Sequence, residues 1–174
     1  MAQRSVSLKF GWLRRRCGYA AALLLLGLPA PAGAARIVFA GGGWAAIDFG
    51  GRCEARSKAL WSKAGTEPFA GFAFDSGVGP QGQFYVRLSR PARPGATVIA
   101  TLGAEPFLLS GQGEWAWSRD PAQQRAILDA ARYGSAIRIE SRDSGGSRIV
   151  DRYGLAGAAT AIDAAAAACA GKSR

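Results

Sequence analysis

The stretch from Trp115 to Ile139 constrains this chain most, because it marks both ends of a helix and the strands on either side. In Glu114-Trp115-Ala116-Trp117-Ser118 the tryptophans are two residues apart and share a face if the backbone is extended. Asp120-Pro121 then opens a helix. The Asp120 carboxylate suits N-cap, and Pro121 suits N1, where no amide partner is lost. Gln123 completes a capping-box-like pattern, and Gly134 is expected to close the helix with positive φ. Ala136-Ile137-Arg138-Ile139-Glu140 alternates strictly, which predicts a half-buried strand. The unit reads as strand, helix, strand.

Upstream, Trp44–Phe49 and Arg52–Arg56 read as strands joined at Gly50-Gly51, with Cys53 and Ala55 facing inward and the charges outward. Phe69–Asp75 and Phe84–Leu88 follow, the second with Phe84, Val86 and Leu88 inward and Tyr85 and Arg87 outward. Residues 76–82, with three glycines and a proline, read as a loop. Thr97–Leu102 and Pro106–Leu109 are two further strands, and Ser147–Tyr153 pairs with Ala136–Ser141 across a turn at Asp143–Gly146. Alanine-rich Leu155–Ala170 is helical, with Thr160 and Asp163 resembling a capping box. Ile162, Ala165, Ala166 and Cys169 fall on one face of it. Strands do not alternate regularly with helices. The expected class is therefore mainly β: an antiparallel β-sandwich or open barrel with one internal helix (about 120–133) and one C-terminal helix (about 158–170).

Residues 1–34 read as a signal peptide. Arg4, Lys9 and Arg14-Arg15-Arg16 precede an apolar stretch from Gly18 to Leu28, and Ala32-Gly33-Ala34 offers small residues for cleavage after Ala34. The apolar run is short and broken by Gly27, Pro29 and Pro31, so cleavage is favoured over an uncleaved anchor and no stable transmembrane span is expected after it. General secretion to the periplasm or beyond is the expected route. Residues 35–174 then form a single domain, long enough to bury its own core.

Five of the 22 basic residues and none of the 12 acidic ones lie in 1–34, which leaves 17 basic against 12 acidic, a net charge of +5. The arginines are scattered, with no basic block, which argues against a nucleic-acid partner. Beyond the leader there are two cysteines, Cys53 and Cys169. An oxidising compartment favours a disulfide between them, with two buried free thiols as the alternative.

Histidine is absent from the chain, which excludes His-based triads and His-ligated zinc. Neither metal nor cofactor is expected: the cysteines form no CxxC, and Gly41-Gly42-Gly43 precedes a strand rather than the helix that a phosphate loop needs. Asp48, Asp75, Glu105, Glu114 and Asp120 are the carboxylates a small hydrolase would draw on, though turns and caps explain several of them. Trp115 and Trp117 are expected first to seal the core. If exposed, they join Trp44, Trp61 and Tyr85 as candidate partner-binding residues.

The order of these motifs resembles the invasion-associated locus B (IalB) family of exported bacterial proteins. Gly43-Trp44 and Cys53 resemble that family's opening, Pro94-Gly95-Ala96-Thr97-Val98 the start of a later strand, Asp120–Gly134 its helix, and Leu155–Ala161 its closing segment. The cysteine positions differ, which implies a rewired disulfide. The resemblance implies a non-enzymatic, periplasmic or envelope-associated β-rich module that binds an envelope or host protein. The alternative is a small periplasmic hydrolase or carbohydrate-binding protein using carboxylates and tryptophans.

Overall fold

Ten strands and two helices follow one another in the computed structural model, which describes residues 34–61, 67–77, 79 and 81–172. They are β1 (Arg36–Gly41), β2 (Trp44–Asp48), β3 (Arg52–Lys58), β4 (Phe69–Asp75), β5 (Gln81–Arg87), β6 (Val98–Leu102), β7 (Glu105–Gln112), β8 (Trp115–Trp117), α1 (Pro121–Tyr133), β9 (Ala136–Arg142), β10 (Arg148–Gly154) and α2 (Ala158–Ala170). All strands pair antiparallel in one open sheet of order β1-β2-β3-β4-β5-β8-β7-β6-β9-β10.

Strand β7 links the two halves of the sheet. Its first part, Glu105–Leu109, pairs with β6, and its last three residues, Ser110–Gln112, pair with β8. The sheet also curls on itself. Strand β10 stands at the far end of the order from β1 and β2, yet the Trp44 indole donates to Gly154 O at 2.8 Å and Leu60 N donates to Arg152 O at 2.7 Å. One hydrophobic core fills the curl, taking Phe72, Phe84 and Val86 from the first half and Ala100, Ile137 and Ile139 from the second.

Strand β5 begins earlier than the glycines suggest. Gln81 and Gly82 already belong to it, and the register slips between Ala73 and Phe74 of β4. Gly82 is the extra residue of this bulge and carries φ 82°, a left-handed conformation that favours glycine. Residues 62–66 of the connection after β3 lie outside the described residues.

Helix α1 starts as its sequence predicts. The Asp120 side chain accepts from Ala122 N at 2.8 Å and Gln123 N at 2.9 Å, with Pro121 at N1. Two details differ from expectation. Gln123 accepts from Arg119 N at 2.8 Å instead of closing the box on Asp120, and its amide donates to Leu108 O at 2.7 Å, pinning the helix to β7. Gly134 has φ −79° and is extended, not left-handed. It is needed for space: a Cβ there would lie 2.8 Å from Ala130 O and 3.1 Å from Leu155 Cδ1.

Helix α2 runs from Ala158 to Ala170, the range its sequence predicts, but Thr160 is not its cap. Its N-cap is Gly157, at φ 85°, with no side-chain cap. The reason is tertiary, because the β1–β2 turn abuts this point. A Cβ on Gly157 would lie 2.3 Å from Gly41 O, and one on Gly42 would lie 2.3 Å from Ala156 O. The stripe Ala158, Ala161, Ile162, Ala165 and Cys169 is buried against β1–β3. These small side chains let the helix lie close to the sheet. Cys169 is bonded to Cys53 of β3, with 5.7 Å between Cα atoms.

Candidate functional site

The concave face of the first half of the sheet is core. The opposite face of β3, β4, β5 and β8 is where polar and aromatic chemistry collects. Antiparallel register lines up three rows across it: Glu54–Ala73–Gln83, then Arg56–Gly71–Tyr85–Trp117, then Lys58–Phe69–Arg87–Trp115. Strand alternation sends Cys53, Ala55 and Ser57 inward and leaves Glu54 and Arg56 on this outer face.

Gly71 is the hinge of the arrangement. A Cβ there would lie 2.8 Å from the Tyr85 ring and 2.9 Å from Ala55 O, so only glycine lets Tyr85 lie flat across β4. The phenol thereby spans from β5 to β3. Its hydroxyl donates to Glu54 Oε2 at 2.5 Å and accepts from Arg56 Nε at 2.9 Å. Arg52 Nε donates to Glu54 Oε1 at 2.6 Å, and Arg56 Nε also donates to Glu54 Oε2. Glu54 is 4% exposed and Tyr85 9%, although both are on the outward side of the sheet.

The charges follow from these bonds. Burial opposes the Glu54 anion, but hydrogen bonds from Tyr85, Arg52 and Arg56 outweigh it and hold the carboxyl below its usual range. Burial, reinforced by the bond to Glu54, pushes the Tyr85 hydroxyl well above its usual range. Glu54 is therefore ionised, and Tyr85 remains its donor.

Around this network stands an aromatic cluster. The Arg56 guanidinium lies 4.8 Å from the Phe69 ring centre and 5.4 Å from that of Phe49. Phe69 meets Tyr85 and Trp115 edge to face, at 6.0 and 5.7 Å between centroids, and Tyr85 lies 6.4 Å from Trp115. Trp115 caps the cluster and is 41% exposed. Two depressions adjoin at Arg56. One, of about 340 Å³, is lined by Arg52, Glu54, Gln83, Tyr85, Trp115 and Trp117; the other, of about 410 Å³, by Ala45, Ile47, Lys58, Phe69 and Arg87 among others. A third, of about 350 Å³, lies among Arg93, Thr97, Glu140, Arg142 and Arg148 and has no aromatic lining.

Of the aromatics singled out from sequence, the fold brings Tyr85, Trp115 and Trp117 together. Trp115 does not seal the core as first expected; Trp117 is half-buried. Trp44 is corrected from a surface candidate to a core residue: it is 2% exposed, lies 6.0 Å from Phe72, and its indole N–H is taken up by Gly154. Trp61 is exposed just after β3. The sequence pattern does not mark Glu54, Arg56, Phe69 and Gln83, because their meeting depends on register across β3, β4 and β5. A glycine inside a strand opposite a tyrosine was the available signal.

The carboxylates named as hydrolase candidates have separate local roles. Asp48 accepts from Gly50 N at 2.8 Å and from Lys172 and Arg36, Glu114 pairs with Arg87 at 2.7 Å, and Asp120 caps α1. Asp75 ends β4 with Arg52 at 3.8 Å, and Glu105 is exposed as the first residue of β7. Among the described residues, no group of three or more His, Cys, Asp or Glu side chains is placed to hold a metal ion. No helix among the described residues is long and apolar enough to cross a membrane. Comparison of the chain with protein-family models, curated proteins and solved structures gives no match.

Proposed function

We propose that this chain is an exported, non-enzymatic binding module that takes up an envelope or host component on the outer face of β3, β4, β5 and β8. The observation that carries the proposal is Trp115, an indole left open to solvent yet held by edge contacts with Phe69 and flanked by Tyr85. Rigid, partly exposed aromatics beside arginines are the groups that dominate binding surfaces, because they bury much area for little lost freedom. Binding is favoured over hydrolysis here by the state of Glu54. A glycosidase-type acid needs a raised pKa, whereas three donors hold this carboxyl ionised.

Export rests on the leader-like 1–34 and is consistent with the Cys53–Cys169 bridge. Membership of the invasion-associated locus B group is part of the same proposal, resting on motif order. The test is to display residues 35–174 in oxidised form to envelope extracts, crosslink, and compare the wild type with Trp115→Ala. A partner captured by the wild type and lost in a Trp115→Ala variant of native circular dichroism is the expected result. Capture that ignores the substitution overturns this assignment of the face. Amino-terminal sequencing of the exported chain checks cleavage after Ala34.

A further inference from the structure

Resting on the reading of this face as a binding surface, we propose that its ligand is a neutral saccharide chain, stacked on Trp115 and hydrogen-bonded through Gln83. Charge is the first argument. The cations of the face are paired within it: Arg52 and Arg56 with Glu54, Arg52 also near Asp75, Arg87 with Glu114, and Lys58 with Glu67. Carboxylates match the cations here, so the face offers no net positive field to draw in a polyanion.

The second argument is the set of polar groups left open. The Gln83 side chain and the indole N–H groups of Trp115 and Trp117 make no hydrogen bond to any described residue. All three line the same depression of about 340 Å³, near the small end of ligand sites, which run from about 300 to 1,000 Å³. The Gln83 amide presents donors and an acceptor in one plane. Sugar hydroxyls both donate and accept, and the axial C–H face of a pyranose fits an electron-rich indole ring. One residue type supplies the stacking surface and the other the hydroxyl recognition.

An extended peptide fits less well. Peptides bound by backbone pairing need a sheet edge, and this trough crosses the middle of the sheet, where β3, β4 and β5 already bond one another. The second depression, sharing the Arg56 wall, extends the surface towards Ile47, so a chain of several sugar units engages more of the face than one unit.

The test is titration of oxidised residues 35–174 with maltohexaose, cellohexaose and chitohexaose, followed by tryptophan emission and calorimetry, with a heparin hexasaccharide as the anionic comparison. Expected are saturable binding of at least one neutral hexasaccharide, an affinity above that for its disaccharide, and little change with salt. Trp115→Ala and Gln83→Ala should each weaken it by about tenfold or more. Gln83→Ala matters because it removes no packed ring, so lost binding there does not reflect unfolding. Absence of saturable binding by every neutral oligosaccharide, preference for heparin, or binding indifferent to both substitutions overturns the saccharide assignment. If sugars fail while Trp115-dependent capture of an envelope protein persists, the saccharide falls and the binding face stands. If both fail, both proposals fall.

Discussion

At the residue scale, two side chains show how a surface position becomes a constrained one. Gly71 has no unusual backbone angle; what it supplies is room for the Tyr85 ring. Gly71→Ala should push Tyr85 off β4 and deprive the buried Glu54 carboxylate of its hydroxyl donor, at a cost of about 1–3 kcal/mol in urea unfolding. The same variant should alter Trp115 emission, because Tyr85 is its neighbour. Asp48 makes the second case. A hydrogen bond from Lys172, then one from Gly50 N, outweigh burial and hold its carboxyl at about 2. The unfolded carboxyl titrates near pH 3.9, roughly. The unfolded state therefore binds the proton more readily, so this contribution is present above about pH 4 and is lost as pH falls towards about 2. Asp48→Asn should flatten the fall in the urea midpoint across that window. Some slope should remain, because Glu54 is shifted in the same direction. An unchanged slope would separate Asp48 from acid stability.

At the element scale, α1 and α2 are built on opposite principles. Helix α1 carries its start in its own sequence, through Asp120 and Pro121, and is then pinned by Gln123 to Leu108 O and by Gln124 to Gln81 O at 2.7 Å. Asp120→Ala should cost about 1 kcal/mol, the usual worth of an N-cap, measured by chemical denaturation. A negligible loss would mean that the two glutamine bonds alone hold the helix start. Helix α2 has no side-chain cap and no charged residue in its first or last turn. Its position comes from the backbone contact at Gly42 and Gly157 and from the buried stripe ending at Cys169. The strand that matters most for the site is β4, since its small residues Gly71 and Ala73 leave the trough between β3 and β5.

At the scale of the whole molecule, the Cys53–Cys169 bond and the Lys172–Asp48 pair tie the end of the chain to β2 and β3. The bridge closes a loop across 116 positions. Chain entropy assigns such a closure about 5 kcal/mol. Cys53→Ala combined with Cys169→Ala should lower stability by up to that amount under denaturant, and a loss below about 1 kcal/mol would assign the docking of α2 to packing instead. Much of this architecture is legible from local pattern. Alternation located the strands, Asp120-Pro121 located α1, and the inward parity of Cys53 and Cys169 anticipated their meeting, because each signal depends on neighbours within one element. What the linear pattern did not carry was contact between elements. The extended Gly134, the cap of α2 at Gly157, the burial of Trp44 and the exposure of Trp115 are set by which elements lie against one another. Outward parity made Tyr85 a surface residue, and the register of β3, β4 and β5 laid it over Gly71 onto Glu54. The local code determined the elements; the curl and register of the sheet decided which side chains share a face, since those distances exist only after the sheet has curled around its core.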